Sequence, residues 1–111
     1  MQQDPMTLTT VPGKTPDSRI LKLDGPLTLS NLFGFQAELR KQTSLTILDL
    51  SAVPYMDSAG MGAIINYYVA CQKHGHKLIV AGANYRVLEL FKLTKVDQLI
   101  TLADSVEAAE A

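Results

Sequence analysis

At 111 residues, 47% hydrophobic and 19% charged, the chain has the size and balance of one globular domain. Its formal net charge of −1 gives no electrostatic footprint for nucleic acid or an anionic membrane surface, and no apolar run approaches the length of a membrane span. Cys71 is the lone cysteine, which excludes an internal disulfide; with no charged-then-apolar leader at the N-terminus, a reducing cytoplasm is the expected setting.

Residues 1–5 are polar and expected to form a flexible N-terminus. Met6 to Val11 alternates apolar and polar side chains as a strand does, and Pro12 to Asp17 is a turn by composition. Arg19 to Leu23 reads as a second strand, with Leu21 and Leu23 on one face and Lys22 and Asp24 on the other. Two strands joined by a short turn pair antiparallel, so the chain opens as a hairpin. Gly25-Pro26 ends the second strand, and Thr28 or Ser30 is placed to cap a helix running to about Lys41. Leu29, Leu32, Phe33 and Leu39 are its expected buried stripe, with Gly34 weakening its middle.

Leu45 to Leu50 is a short, mostly apolar run that reads as a buried central strand. A Pro54-Tyr55-Met56 corner leads to Asp57-Ser58 and then Ala59-Gly60-Met61-Gly62, after which the period becomes helical. Met61, Ile64, Ile65, Tyr68 and Gln72 recur at three- and four-residue steps and mark the largely apolar face, which leaves Tyr67 off the stripe and expected at the surface. Asp57 or Ser58 can cap this helix, since either accepts from its first free N–H groups. Met56, Ala59 and Met61 flank the serine and are the expected partner contacts, and Gly60 and Gly62 are expected to leave the first turn uncrowded. The plain reading of the same residues is a capped strand-to-helix junction, with Met61 and Tyr68 as core packing.

The stretch from Leu48 through Asp57-Ser58-Ala59-Gly60 to Gly62 closely resembles the signature of the bacterial anti-sigma factor antagonists, founding members of the STAS domain. What the resemblance implies is an interaction module that regulates sigma-factor-dependent transcription. Its serine, here Ser58, would be phosphorylated by a serine kinase that doubles as the anti-sigma factor, and a serine phosphatase would be a further partner. Residues Met56, Asp57, Ser58, Ala59, Gly60, Met61 and Gly62 would form the partner-binding edge. The chain departs from the family's Gly-x-Leu-Asp pattern, which here reads Gly25-Pro26-Leu27-Thr28; in relatives the missing acid lies near the phosphorylated serine. That departure gives weight to a second reading, a non-phosphorylated STAS binding module in a transport or signalling assembly, or one that takes a nucleotide or other small ligand at the same edge.

Downstream, His74-Gly75-His76-Lys77 is a helix stop, Leu78 to Ala81 a strand, and Asn84 the N-cap of a helix burying Val87, Leu88 and Phe91. After a connection over Leu93 to Asp97, Leu99 to Leu102 is a last short strand and Asp104 caps an alanine-rich terminal helix or frayed tail. The expected fold class is α/β: a STAS-like mixed sheet, an N-terminal antiparallel hairpin then parallel strands, packed with about four helices. The domain is expected over 6–108, with 109–111 as a tail, in a monomer or weak homodimer.

No constellation for catalysis, a metal or a cofactor is read from the chain. His74 and His76 lack the further ligands of a structural zinc site, and Cys71 lacks an activating neighbour in sequence. Asp49 interrupts a buried strand and is expected to be a hydrogen-bonded structural acid or an outward-facing residue. Pairing Ser58 with either histidine would require folding a whole helix back on itself.

Overall fold

The computed structural model describes residues 6–111, and the segment 1–5 expected to be flexible lies outside them. Strands β1 (Thr7–Pro12) and β2 (Ser18–Asp24) form the antiparallel hairpin, with Leu8 opposite Leu23 and Val11 opposite Ile20. Pro12 cannot donate to a ladder and sits at the end of an edge strand, where that costs nothing. From β2 onward each pairing is parallel, through β3 (Leu45–Ala52), β4 (Lys77–Ala81) and β5 (Thr101–Ala103), in the sheet order β1-β2-β3-β4-β5. The crossovers are α1 (Phe33–Leu39), α2 (Ser58–His74) and α3 (Tyr85–Leu93), and α4 (Val106–Glu110) closes the chain. This is the mixed sheet with four helices that the sequence leads one to expect.

Strand alternation sorts the apolar side chains between two faces. Leu21, Leu23, Leu48, Leu50, Leu78 and Val80 form the main core with Phe35, Ile64, Tyr67 and Phe91 from the crossover helices. Ile20, Ile47, Ile79 and Ala81 pack with Val106 and Ala109 of α4. The segment 109–111 is therefore partly helical and partly packed rather than a tail throughout. α2 ends as its sequence suggests: Gly75 has a φ of 69°, and its N–H reaches back to Gln72 O.

Two helices differ from the sequence expectation in phase. The first is split: a 3-10 turn over Leu29–Asn31 precedes α1, which begins at Phe33. The buried stripe is Leu32, Phe35 and Leu39, spaced three and four apart, while Leu29 is 69% and Phe33 81% exposed. On α2 the inward face is Gly60, Met61, Ala63, Ile64, Tyr67 and Cys71, with Tyr68 only half-buried.

Tyr67 turns inward because a buried cation requires it. Arg19 is 5% exposed and donates to Thr46 Oγ1 (3.3 Å), Glu38 O (3.0 Å), Lys41 O and Tyr67 Oη (3.0 Å). Tyr67 Oη also lies 2.7 Å from Thr46 Oγ1, and Glu38 Oε1 is 3.6 Å from the guanidinium. The fork thus closes the carbonyl end of α1 from within, so this buried charge is bonded rather than stranded. Burial pushes the Tyr67 phenol up, against the Thr46 and Arg19 bonds that lower it, and burial likewise pushes up the Cys71 thiol, an inert packed side chain.

Candidate functional site

The parallel strands deliver their C-terminal ends, and the helix N-termini that follow, to one edge of the sheet, where α/β folds commonly bind. Asp57 and Ser58 lie there, at the start of α2. Asp57 is the N-cap: its backbone is extended, and Oδ1 accepts from Gly60 N at 2.9 Å. Its other oxygen, Oδ2, accepts from Leu29 N at 3.0 Å. One carboxylate therefore ties the head of α2 to the 3-10 turn. Partial burial favours its neutral form, but the N–H groups of Gly60, Leu29 and Ala59 outweigh that and hold the carboxyl below the usual carboxylate range.

Because Asp57 does the capping, the Ser58 hydroxyl stands outside those bonds, on an exposed residue at the first helical position. Thr28, where the resemblance implies an acid, lies beside this point. Leu27 O accepts from Asp57 N and Leu29 N donates to Asp57 Oδ2, so Thr28 is held between two residues bonded to Asp57. Its N–H donates to Asn31 Oδ1 at 2.8 Å, and its hydroxyl lies 2.9 Å from Ser30 Oγ.

The other residues expected at a partner-facing edge divide between surface and core. Ala59 is half-buried and Gly62 has open space where a Cβ would be. Met56 and Met61 are 9% and 3% exposed, which corrects their expected role as flanking contacts. Met56 forms a one-residue parallel bridge to Leu27, and Met61 lies on the inward stripe of α2. Gly60 is also buried, and a Cβ there would stand 2.5 Å from Leu27 O. Its missing side chain admits the neighbouring backbone, not a partner.

That contrast gives a test of the local packing. Gly60→Ala should destabilise the fold by about 1–3 kcal/mol, since backbone must move. Gly62→Ala, in open space on a helix, should be neutral or stabilising by up to about 1 kcal/mol. Urea denaturation of the two variants checks it, and equal effects would contradict the arrangement.

Sequence reasoning missed the apolar rim of this edge. Leu29 and Phe33 are exposed on the segment bonded to Asp57. Across the edge, Tyr85 is 77% exposed at the start of α3, and the Arg86 guanidinium lies 5.4 Å from the centroid of the Tyr55 ring. Asn84 caps α3 through Val87 N and donates to Val53 O and Pro54 O, fixing the two crossover loops to each other. The Leu32, Phe35, Leu39 spacing was the available signal for the first pair, since that phase turns Leu29 and Phe33 outward.

Asp49 is half-buried and turns back on its own strand, accepting from Ser51 N (3.0 Å) and Ser51 Oγ (2.7 Å). His74 and His76 stack at 5.7 Å at the far end of α2, where His76 Nδ1 lies 2.8 Å from Gln42 Oε1. Among the described residues no group of three or more His, Cys, Asp and Glu side chains stands close enough to hold a metal ion. Nor is any helix among them long and apolar enough to cross a membrane.

The Asp57 carboxylate also sets an acid limb. Its folded pKa lies below its unfolded value of about 3.9, so its contribution is present above that value and lost as pH falls through the folded one. Asp57→Ala should cost about 1 kcal/mol near neutrality, typical of a lost N-cap. The gap from wild type should shrink progressively below about pH 4. Denaturation midpoints over pH 2.5–7 check this, and a gap independent of pH would contradict it.

A family model for the STAS domain matches residues 10–109. The chain belongs to the STAS domain family. The match runs from the middle of β1 into α4 and so reaches every strand of the sheet. The anti-sigma-B factor antagonist of Listeria monocytogenes is 29% identical over 55 residues, 50% of this chain; the match spans about half of that relative, 48% of its length. Among solved structures, a Thermotoga maritima protein described as a candidate anti-sigma factor antagonist superposes with a TM-score of 0.84. It is 23% identical, with 92% of this chain and 90% of that one covered. The anti-sigma factor antagonist SpoIIAA in its unphosphorylated form gives a TM-score of 0.76 at 16% identity, with 93% of both chains covered. The phosphorylated form of SpoIIAA from Bacillus gives 0.72 at 15% identity, covering 93% of this chain and 96% of that one. At these identities the solved structures speak for the STAS fold.

Proposed function

We propose that this STAS domain is an anti-sigma factor antagonist that works by partner switching at Ser58. The observation that carries the reading is the division of labour at the head of α2, where Asp57 supplies the cap and Ser58 is left exposed and unengaged. The Listeria relative is named as an antagonist, and a neighbour of the same fold, SpoIIAA, is described in both unphosphorylated and phosphorylated forms. On this reading the unphosphorylated edge docks on an anti-sigma serine kinase and so releases a sigma factor. The docking surface is Asp57, Ser58, Ala59 and Gly62 together with the apolar rim of Leu29 and Phe33. The module is non-catalytic: it changes partners and turns nothing over.

A phosphate on Ser58 adds roughly −1.5 to −2 charge. The N-terminus of α2 stabilises nearby negative charge by about 0.3–1 kcal/mol, enough to offset much of the repulsion from Asp57 in the free protein. In a docked complex the same charge would lose its water beside Asp57, and like charges so placed cost several kcal/mol. The modification therefore breaks the interface and leaves the fold in place.

The test is complex formation with the anti-sigma serine kinase of the same cell, measured by calorimetry. Phe33→Ser should weaken binding at least tenfold while leaving the unfolding midpoint unchanged, because Phe33 is exposed. Full affinity in that variant would remove the apolar rim from the interface, and no complex with wild type would overturn the reading itself.

A further inference from the structure

Between α1 and α2, away from the Ser58 edge, runs an open groove of about 370 Å³. Its volume falls within the range of about 300–1,000 Å³ common for small-molecule sites. Leu39, Ala63 and Tyr67, all buried, form its floor with half-buried Ala70, and exposed Arg40 and His74 stand at its mouth. α2 has 17 residues and is thus about 25 Å long, so the Arg40–His74 mouth lies nearly a helix length from Ser58.

The charges around the groove are one-sided. Among the described residues no carboxylate lines it. Glu38, the acid on α1, pairs with Arg19 at 3.6 Å and Lys41 at 3.4 Å, and among the described residues Arg40 has no carboxylate at ion-pair distance. A basic residue at a helix C-terminus ordinarily answers to the helix's own carbonyls. Here Arg19 has taken that task from inside, through Glu38 O and Lys41 O. Arg40 is left as a surplus cation whose planar fork matches a carboxylate.

We infer that this groove binds a small amphipathic carboxylate, its apolar body on Leu39, Ala63 and Ala70 and its charge at Arg40. The inference is independent of the Ser58 reading and would make the domain responsive to a metabolite as well as to a protein partner.

The test is an NMR titration of the whole chain with octanoate and, separately, with 1-octanol. Octanoate should give saturable amide shifts at the groove residues, and octanol should bind at least tenfold more weakly. Arg40→Glu should weaken octanoate about tenfold and Arg40→Gln somewhat less, with the thermal midpoint of Arg40→Gln unchanged because the side chain is exposed. Ala70→Phe, which fills the groove, should abolish binding of both. Equal affinity for octanoate and octanol would make the groove a plain apolar surface and overturn the inference. Shifts that fail to saturate, that map elsewhere, or that keep the wild-type affinity in Arg40→Glu would also overturn it.

Discussion

Ser58→Asp is expected to weaken binding to the anti-sigma kinase by roughly 10- to 100-fold, about 1.5–3 kcal/mol, while Ser58→Ala binds as wild type does. The aspartate carries less charge than a phosphate and so gives a partial version of the modification. It would sit beside Asp57, whose carboxylate is fixed by N–H bonds from Gly60 and Leu29 and cannot turn away without uncapping α2. In the free protein the helix N-terminus favours the added charge, so the unfolding midpoint of Ser58→Asp should stay within about 1 kcal/mol of wild type. The effect therefore falls on binding and not on folding, which calorimetry and urea denaturation on the same samples can separate. Equal affinity of the aspartate and alanine variants would remove charge from the mechanism.

Arg19→Met is expected to be the most damaging single change in the framework, costing about 3–5 kcal/mol and lowering the melting midpoint by roughly 12–20 °C. The side chain bonds four groups from three elements of the fold and the loop after α1: Thr46 on β3, Tyr67 on α2, and the carbonyls of Glu38 and Lys41. Removing it leaves Thr46 and Tyr67 bonded only to each other and Thr43, and takes the guanidinium partner from the Glu38 and Lys41 carbonyls, which opens the carbonyl end of α1. Tyr67→Phe is the control. It deletes one hydroxyl and leaves the guanidinium three other partners, so it should cost about 1 kcal/mol. Differential scanning calorimetry of the two variants decides it. If Arg19→Met fell within 1 kcal/mol of wild type, the network would not hold the layers together.

The residues that announced themselves in the sequence are those whose role is local. Asp57 caps α2 through Gly60, three residues away, and Asn84 caps α3 through Val87 in the same way. Gly75 stops α2 in the left-handed conformation that its neighbours suggested. The order of strands and helices followed from changes of hydrophobic period, which are also local. The Arg19 network could not be read in that way. Residues 19, 46 and 67 are far apart in the chain, and an arginine amid strand residues gives no sign of being buried. Tyr67 is expected at the surface because it falls off the Met61, Ile64, Ile65, Tyr68, Gln72 stripe, whereas the inward face of α2 is turned to take in Tyr67 and Cys71. At the site, Met56 and Met61 were read as contacts because they flank Ser58, but adjacency in sequence is not adjacency on a surface. The bridge to Leu27 and the inward phase of α2 take both into the core. Leu29 and Phe33 failed in the opposite sense, because one continuous helix was assumed where a 3-10 turn and α1 meet at Leu32.

The central claim is that Ser58 accepts a phosphate, and it can be tested directly. The purified protein and its Ser58→Ala variant would be incubated with labelled ATP and a lysate of the source cells. An antagonist already known to be phosphorylated would serve as a control for the lysate's activity. The account predicts label on the wild type and none on the variant. Label that persists in Ser58→Ala, or a wild type left unlabelled in a lysate that modifies the control, would contradict it.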